Sequence, residues 1–193
     1  MAYKYTNRKG VTYYLRSSTT KRGKTRYIFA RQPGGDEVET LPEGYKVRES
    51  INGQVSLVQA RPRQITKAEE QNLRDRLARL KPGYRLEVKG SELVIFEPSM
   101  SAGSLMGVLG GPSMAAARPG LADELARFVA QRARFDPILK FELVDELRRR
   151  FSAHRMVFSG AGGWSHPLEY GDLDQLARTL LPHLGEDSFF ELV

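Results

Sequence analysis

The residues whose types and spacing best suit a chemical task lie in the first 31 positions, which hold nine Lys or Arg residues and no carboxylate. Since the chain has 30 basic and 23 acidic residues in all, the other 162 of its 193 positions hold 21 basic and 23 acidic side chains. Six aromatic residues alternate with these cations, a pattern typical of surfaces that bind a polyanion with stackable bases. The nine residues predicted to bind nucleic acid are Arg8, Lys9, Arg16, Lys21, Arg22, Lys24, Arg26, Tyr14 and Tyr27.

The densest part of this stretch is Lys21-Arg22-Gly23-Lys24, with three cations in four residues. That spacing is about the reach of two adjacent phosphates on one strand. Contacts of this kind give affinity without sequence preference, because every nucleotide carries the same phosphate. An alternative stays open. Exposed Lys and Arg also prevent pairing between strand edges, and the tyrosines of a small sheet usually pack on its core.

A second chemical pattern, Glu87-Val88-Lys89, lies on a predicted strand and matches half of the signature of metal-dependent nucleases. In that signature the carboxylate holds a divalent ion and the lysine stabilises developing charge. An aspartate on a neighbouring strand is also required, whereas Asp75 falls on a predicted helix and Asp36 in a distant loop. Alternating charges on an exposed strand produce the same spacing by chance, so a nuclease is the third functional hypothesis.

Composition restricts the other chemistry that the chain can perform. The absence of cysteine excludes disulfides, thiolate nucleophiles and cysteine-based zinc sites, and the three histidines are far apart in sequence. The glycine-rich segment 159–166 lacks the Gly-Lys-Ser/Thr ending of a phosphate-binding P-loop and is interpreted as a mobile turn. We therefore predict no catalytic residues, no metal ligands and no cofactor.

The elements that would carry the N-terminal cations are strands. Turn sequences at 7–10 and 20–24 bound a run rich in β-branched and aromatic residues, which indicates a hairpin. Alternation along the run places Tyr13 on one face and Tyr14 and Arg16 on the other.

A second hairpin and a helix follow. Asn52-Gly53 predicts a hairpin with a type I′ turn, which needs positive φ at both residues. Thr66 and Glu69 form a capping-box pattern before an apolar stripe, so Lys67–Leu80 is predicted as a helix that covers the resulting sheet of about four strands. Another hairpin is predicted over 84–96.

The remainder of the chain changes in character at 99–120, which is dominated by Ser, Gly, Ala and Met. A flexible linker is the favoured interpretation, with an apolar strip that docks on a partner or on the sheet as the alternative. Residues 121–193 are slightly acidic and predict a helix, a hairpin around 145–149, a second helix at 172–184 and an apolar tail packed on the core.

The sequence therefore predicts an α+β protein with a basic antiparallel β-rich module and one covering helix at 1–98, a flexible linker at 99–120 and a small α+β module at 121–193. The first functional hypothesis is a bacterial-type cytoplasmic protein that binds DNA or RNA, or assists a protein that does, through phosphate contacts. The second is a non-enzymatic adaptor that binds a protein partner through 121–193. No apolar run approaches the ~20 residues needed to cross a bilayer, so no membrane partner is expected.

Overall fold

The computed structural model describes residues 2–100, 102–108, 118, 120–158 and 162–192 of the chain. The chain divides into two compact units, Met1–Pro62 and Arg63–Val193. Antiparallel sheets predominate, with a small number of helices, which confirms the predicted α+β class. Among the described residues, no helix is both long and apolar enough to cross a membrane.

The first unit is built from five short strands. They are β1 (Lys4–Thr6), β2 (Thr12–Thr19), β3 (Thr25–Ala30), β4 (Tyr45–Glu49) and β5 (Val55–Gln59). The larger sheet is antiparallel in the spatial order β1-β2-β3, and β4 pairs with β5 as a separate hairpin. The sequence predicts β2 and β3, and the structure adds β1 on the other edge of β2.

The faces of the larger sheet alternate as predicted. Tyr13 and Leu15 are buried, and Leu15 pairs with Phe29 across β2 and β3. Tyr14 and Arg16 lie on the opposite face because successive side chains of a strand point in opposite directions. One face of the sheet therefore packs inside the unit and the other carries polar and basic groups.

All three hairpin turns of this unit have the same geometry. They span residues 7–11, 20–24 and 50–54, and in each the first residue donates its N–H to the fifth carbonyl at 2.8–2.9 Å. The fourth residue is a glycine with φ of 75–78°, which an L side chain adopts at a cost. This is a type I turn followed by a left-handed glycine. The Asn52-Gly53 hairpin is confirmed, but its predicted type I′ turn is wrong because Arg149 is the one described non-glycine residue with positive φ.

The first side chain of each turn closes it with a further hydrogen bond. Asn7 Oδ1 accepts from the Val11 N–H at 2.8 Å, and Thr20 Oγ1 accepts from the Lys24 N–H at 3.1 Å. Ser50 Oγ accepts from the fifth residue of its own turn at 3.1 Å. Asn, Thr and Ser are favoured at such positions because their side chains bond the nearby backbone.

The second unit contains a six-stranded antiparallel sheet. Its strands are β6 (Arg85–Lys89), β7 (Glu92–Pro98), β8 (Phe135–Asp145), β9 (Arg150–Val157), β10 (Gly163–Trp164) and β11 (Glu169–Gly171). The spatial order is β10-β9-β8-β7-β6, with β11 also paired to β9. The predicted hairpins over 84–96 and around 145–149 are both confirmed.

The helices that the structure describes in this unit are α1 (Lys67–Leu80), α2 (Ala102–Val108), α3 (Leu121–Arg132), α4 (Leu173–Leu180) and α5 (Ser188–Glu191). Three of them, α1, α3 and α4, are predicted from the sequence, and α2 and α5 are not. The Thr66–Glu69 capping box is present in full. After α4 the chain continues as the 3-10 turn Leu181–His183, which contains Pro182. Phe189 in the apolar tail is fully buried, as predicted.

The core of the second unit explains why its boundary differs from the predicted one. Leu73 and Leu77 of α1 belong to one buried cluster with Phe141 of β8 and Leu176 of α4. Strands β7 and β8 come from the two sides of the predicted linker, and the whole of β7 pairs with residues 135–142 of β8. The division therefore falls after Pro62 rather than after residue 98, and α1 covers the sheet of the second unit.

The segment predicted as a linker lies within this unit. The Ser99 N–H donates to the Arg134 carbonyl at 2.7 Å, which joins the first residue of the segment to the chain that follows α3. Residues 102–108 form α2, so this part is helical rather than extended. Positions 101, 109–117 and 119, together with 159–161 of the predicted glycine-rich turn, lie outside the described residues.

Replacing Leu73 tests the assignment of α1 to the second unit. Leu73→Ala removes a side chain that is 1% exposed, so we expect the free energy of unfolding to fall by about 2–5 kcal/mol. The fluorescence of Trp164, the one tryptophan of the chain, reports on the second unit. Leu80→Ala in the same helix removes a side chain that is 45% exposed and should cost far less. Equal losses for the two variants would contradict this packing.

Two glycines with the same φ test the contact between the first and third turns. The Cβ of Gly53→Ala would lie 3.1 Å from Asn7 Nδ2, whereas nothing lies within 4 Å of a Cβ at Gly10. Both variants should lose about 1–2 kcal/mol through the left-handed backbone. We expect Gly53→Ala to lose about 1 kcal/mol more in urea unfolding, because it also displaces the buried Asn7 amide. Indistinguishable losses would mean that this contact adds nothing to stability.

Candidate nucleic-acid interface

Residues 18–26, here named the basic arm, extend the hairpin of β2 and β3 beyond the rest of the sheet. The Ser17 N–H donates to the Asp36 carbonyl at 2.8 Å, and beyond this point the described chain pairs β2 with β3 alone. Ser18 pairs with Arg26, and Thr19 pairs with Thr25. All nine residues of the arm are exposed, so the arm is a two-stranded ribbon open to water on both faces.

The cations of the basic arm have no partner among the residues that the structure describes. Its four basic side chains make no ion pair and no side-chain hydrogen bond with the described residues, and the arm contains no acidic residue. The four are Lys21, Arg22, Lys24 and Arg26. Like charges held this close repel one another in the free protein, so a multivalent anion would be attracted strongly.

The net positive charge of the protein belongs to the unit that carries the arm. The first 62 residues contain 12 basic and 5 acidic side chains, and the other 131 contain 18 of each, so the net charge of +7 belongs to the first unit. Exposed charges more than about 8–10 Å apart are largely screened at physiological salt. The local density at the arm is therefore more important for binding than the total.

Arg8 and Lys9 lie in the turn at the opposite end of β2. Arg8 Nε contacts Glu49 Oε1 at 3.2 Å, the Arg8 backbone N–H donates to the same carboxylate, and Nη2 donates to the Ser50 carbonyl. The Lys9 stem packs beside Gly53. The predicted set is thus split between two ends of the sheet, and Arg8 already has a structural role.

Glu49 accepts several of the hydrogen bonds at this end of the unit. It accepts a hydrogen bond from the Tyr5 hydroxyl at 3.1 Å in addition to the Arg8 contacts. Burial, the hydrogen bond to Glu49 and the charge of that residue together raise the pKa of Tyr5. The turn at 7–10 is therefore joined to β4 by charged and neutral hydrogen bonds to one side chain.

Arg16, Tyr14 and Tyr27 also contact other residues of the first unit. Arg16 Nη2 donates to the Gln32 carbonyl. The Tyr27 ring lies 6.0 Å from that of Tyr45, and Lys4 Nζ lies 5.6 Å from the centre of the Tyr14 ring. Of the nine predicted residues, the structure brings together the four arm cations, with Tyr14 and Arg16 on the same sheet face as Arg26.

Sequence reasoning missed the hydroxyl groups that flank the arm cations. Ser18, Thr19 and Thr25 are exposed on the ribbon, and hydroxyls are common donors to phosphate oxygens. The run of four Ser and Thr residues before Lys21 was the signal that could have identified them. Lys4 was also missed as a member of the Tyr14 face, since its position depends on the pairing of β1.

The partial nuclease pattern does not assemble into a metal site among the described residues. Glu87 and Lys89 contact each other, with 3.7 Å between Oε2 and Nζ, and Lys89 lies over the ring of Phe96. Asp75 is on α1, as predicted. In the part of the chain that the structure describes, no three Asp, Glu or His residues are grouped so that they could hold a metal ion.

A second polar cluster, not found from the sequence, lies on β8 and β9. Lys140 contacts Glu142 at 2.7 Å and Glu92 at 3.2 Å. Burial lowers the pKa of Lys140, but these two carboxylates outweigh it and raise the pKa overall. Ser152 Oγ lies 2.9 Å from His154 Nε2, yet Ser152 is 2% exposed, so a substrate could not reach it without a rearrangement.

Comparison with protein-family models, with curated proteins and with solved structures finds no match.

Replacing Glu49 tests whether the contacts of Arg8 and Tyr5 contribute to the stability of the first unit. Glu49→Ala leaves the Arg8 and Tyr5 donors without their acceptor, so we expect the free energy of unfolding to fall by about 1–3 kcal/mol. Glu43→Ala, at an exposed position of the same unit, should stay within about 0.5 kcal/mol. Urea unfolding followed by circular dichroism measures both. A Glu49→Ala protein as stable as Glu43→Ala would show that these bonds are energetically neutral.

Proposed function

We propose that the protein binds nucleic acid through the basic arm, mainly by contact with backbone phosphates. The observation that carries this proposal is the exposed ribbon with four cations that have no partner in the described chain. Lys and Arg side chains that neutralise phosphates release condensed counterions, and this release supplies most of the free energy of non-specific binding. A cytoplasmic, bacterial-type accessory protein of nucleic-acid metabolism is the broader role that we infer.

The arrangement of acidic residues supports the same proposal. Arg8, which has a structural task in the first unit, is neutralised by the carboxylate of Glu49. The arm has no such carboxylate, so its charge is available to a ligand. A surface selected for solubility alone would be served equally well by cations spread over both units.

The strength and salt dependence of binding follow from the number of cations. Four phosphate contacts on duplex DNA give a slope of log affinity against log salt of about −3.6, so affinity falls roughly 100-fold between 50 and 200 mM salt. We expect dissociation constants of about 10⁻⁴–10⁻⁶ M at physiological salt and no strong sequence preference.

A protein-binding role for the second unit is the alternative. Leu147 is 96% exposed at the tip of the β8–β9 hairpin, and Phe158, Tyr170 and Phe190 are also exposed. Arg149 Nε, in the turn of this hairpin, donates a hydrogen bond to Glu69 of α1 at 2.9 Å, and this bond holds the hairpin against the helix. An exposed apolar side chain on a rigid tip is suited to insertion into a partner. This role and nucleic-acid binding are compatible, because they use different units.

A charge-matched pair of variants tests the proposed function. Arg22→Gln with Arg26→Gln removes two arm cations, and Arg134→Gln with Arg148→Gln removes two arginines that are 82% and 83% exposed in the second unit. In fluorescence anisotropy with labelled DNA we expect the arm variant to bind at least 10-fold more weakly, with a salt slope reduced by about 1.8. The control should bind like the unaltered protein.

Three results would contradict the proposal: no binding by the unaltered protein at low salt, equal losses in the two variants, or an unchanged salt slope in the arm variant. A circular dichroism spectrum and a urea midpoint close to those of the unaltered protein are expected for the arm variant, because its replaced side chains have no partners in the described chain. This measurement separates a loss of binding from a loss of folding.

A further inference from the structure

The aromatic rings of the first unit contact other side chains or are buried, which bears on the form of nucleic acid that the arm can bind. Proteins that bind single strands stack successive bases on exposed rings. Here Phe29 lies 6.4 Å from Tyr3 and 6.5 Å from Tyr5, Tyr27 packs on Tyr45, and Tyr13 is buried. The basic arm itself contains no aromatic residue. Its chemistry is therefore that of cations and hydroxyls, which suit phosphates and groove edges better than base faces.

The dimensions of the arm restrict which nucleic-acid grooves it can enter. Paired strands lie about 4.7–4.9 Å apart, and the side chains on the arm strands beside Arg26 are the short Ser18, Thr19 and Thr25. From Ser18 to the turn the ribbon advances about 10 Å, at about 3.3 Å for each of three residues. The major groove of B-form DNA is about 12 Å wide and 8.5 Å deep and admits a two-stranded ribbon. The major groove of A-form RNA is deep and narrow.

We infer that the basic arm binds B-form duplex DNA by entering the major groove, an inference that rests on the proposed function. In the groove the long Lys and Arg side chains at the tip reach phosphates of both strands, one on each wall. The Ser and Thr hydroxyls of the ribbon face groove edges or sugar-phosphate oxygens. A single strand presents one line of phosphates and no second wall, so it engages fewer of the four cations at one time.

The hydrogen bonds within the arm favour insertion into a preformed groove. Each of its strands continues a strand of the sheet, and its turn is closed by Thr20 Oγ1, which accepts from the Lys24 N–H, and by Gly23 in the left-handed conformation. The backbone is thus ordered before binding, and less conformational entropy is lost on association than for a loop that orders on its ligand. A flexible single strand would have to be ordered as well.

Four labelled probes test this inference with the full chain. They are a DNA duplex of about 20 base pairs, or two helical turns, the same duplex in which cytosines are replaced by glucosylated 5-hydroxymethylcytosine, the RNA duplex of the same sequence, and a DNA single strand with the same number of phosphates. Glucosylation fills the major groove and leaves the phosphate charge unchanged. In anisotropy titrations at constant salt we expect the plain DNA duplex to bind roughly 10-fold or more tightly than each of the other three.

The outcomes distinguish the inference from the proposed function. Equal or tighter binding of the single strand, of the RNA duplex or of the glucosylated duplex would overturn groove insertion while nucleic-acid binding stands. Failure to bind any of the four probes at low salt would overturn both. The Arg22→Gln, Arg26→Gln variant is expected to lose the preference for the plain duplex, whereas the Arg134→Gln, Arg148→Gln control keeps it.

Discussion

The buried amide of Asn7 is the interaction on which the order of the first unit depends. Its Oδ1 accepts from the N–H groups of Lys9 and Val11, which closes the first turn, and its Nδ2 donates to the Gly53 carbonyl at 2.7 Å, which joins that turn to the third. At 5% exposure it has little access to water, so each unmade bond would cost free energy. Together with the contacts of Arg8 and Tyr5 to Glu49, this side chain joins the β1–β2 turn to the β4–β5 hairpin.

Strand β2, the central strand of the larger sheet, leads from the first turn to the basic arm. From Tyr14 to Ser17 β2 is paired on both sides, with β3 on one edge and with β1 and residues 36–38 on the other. Its last residues are paired on one side only within the described chain. The same strand therefore serves as the buried centre of a sheet at one end and as an exposed ribbon at the other. The strands of the arm continue strands of the sheet, and the arm is accessible because nothing described covers it.

The second unit differs from the first in the balance and placement of its charges. Its charges balance, its apolar side chains form one cluster across α1, α4 and the sheet, and its buried cation Lys140 is held by two carboxylates and the Trp164 ring at 5.4 Å. Burial of a charge is tolerated when it is paired and hydrogen-bonded in this way. The arm cations differ, since they have no partner in the described chain, and in the proposed function they bind a ligand.

Local patterns in the sequence determined the positions of the turns, the capping box of α1, the alternation of β2 and the concentration of positive charge, because each depends on residues a few positions apart. Only the tertiary structure decided that Arg8 is neutralised by Glu49, that Tyr27 packs on Tyr45, and that α1 covers a sheet completed by β8 and β9. These contacts join residues 18 or more positions apart in the chain, and the pairing of an exposed strand or an apolar helix face is satisfied by any complementary surface. Which surface it meets depends on the free energy of the whole chain, and so the four free cations could be separated from the structural ones only after the fold was known.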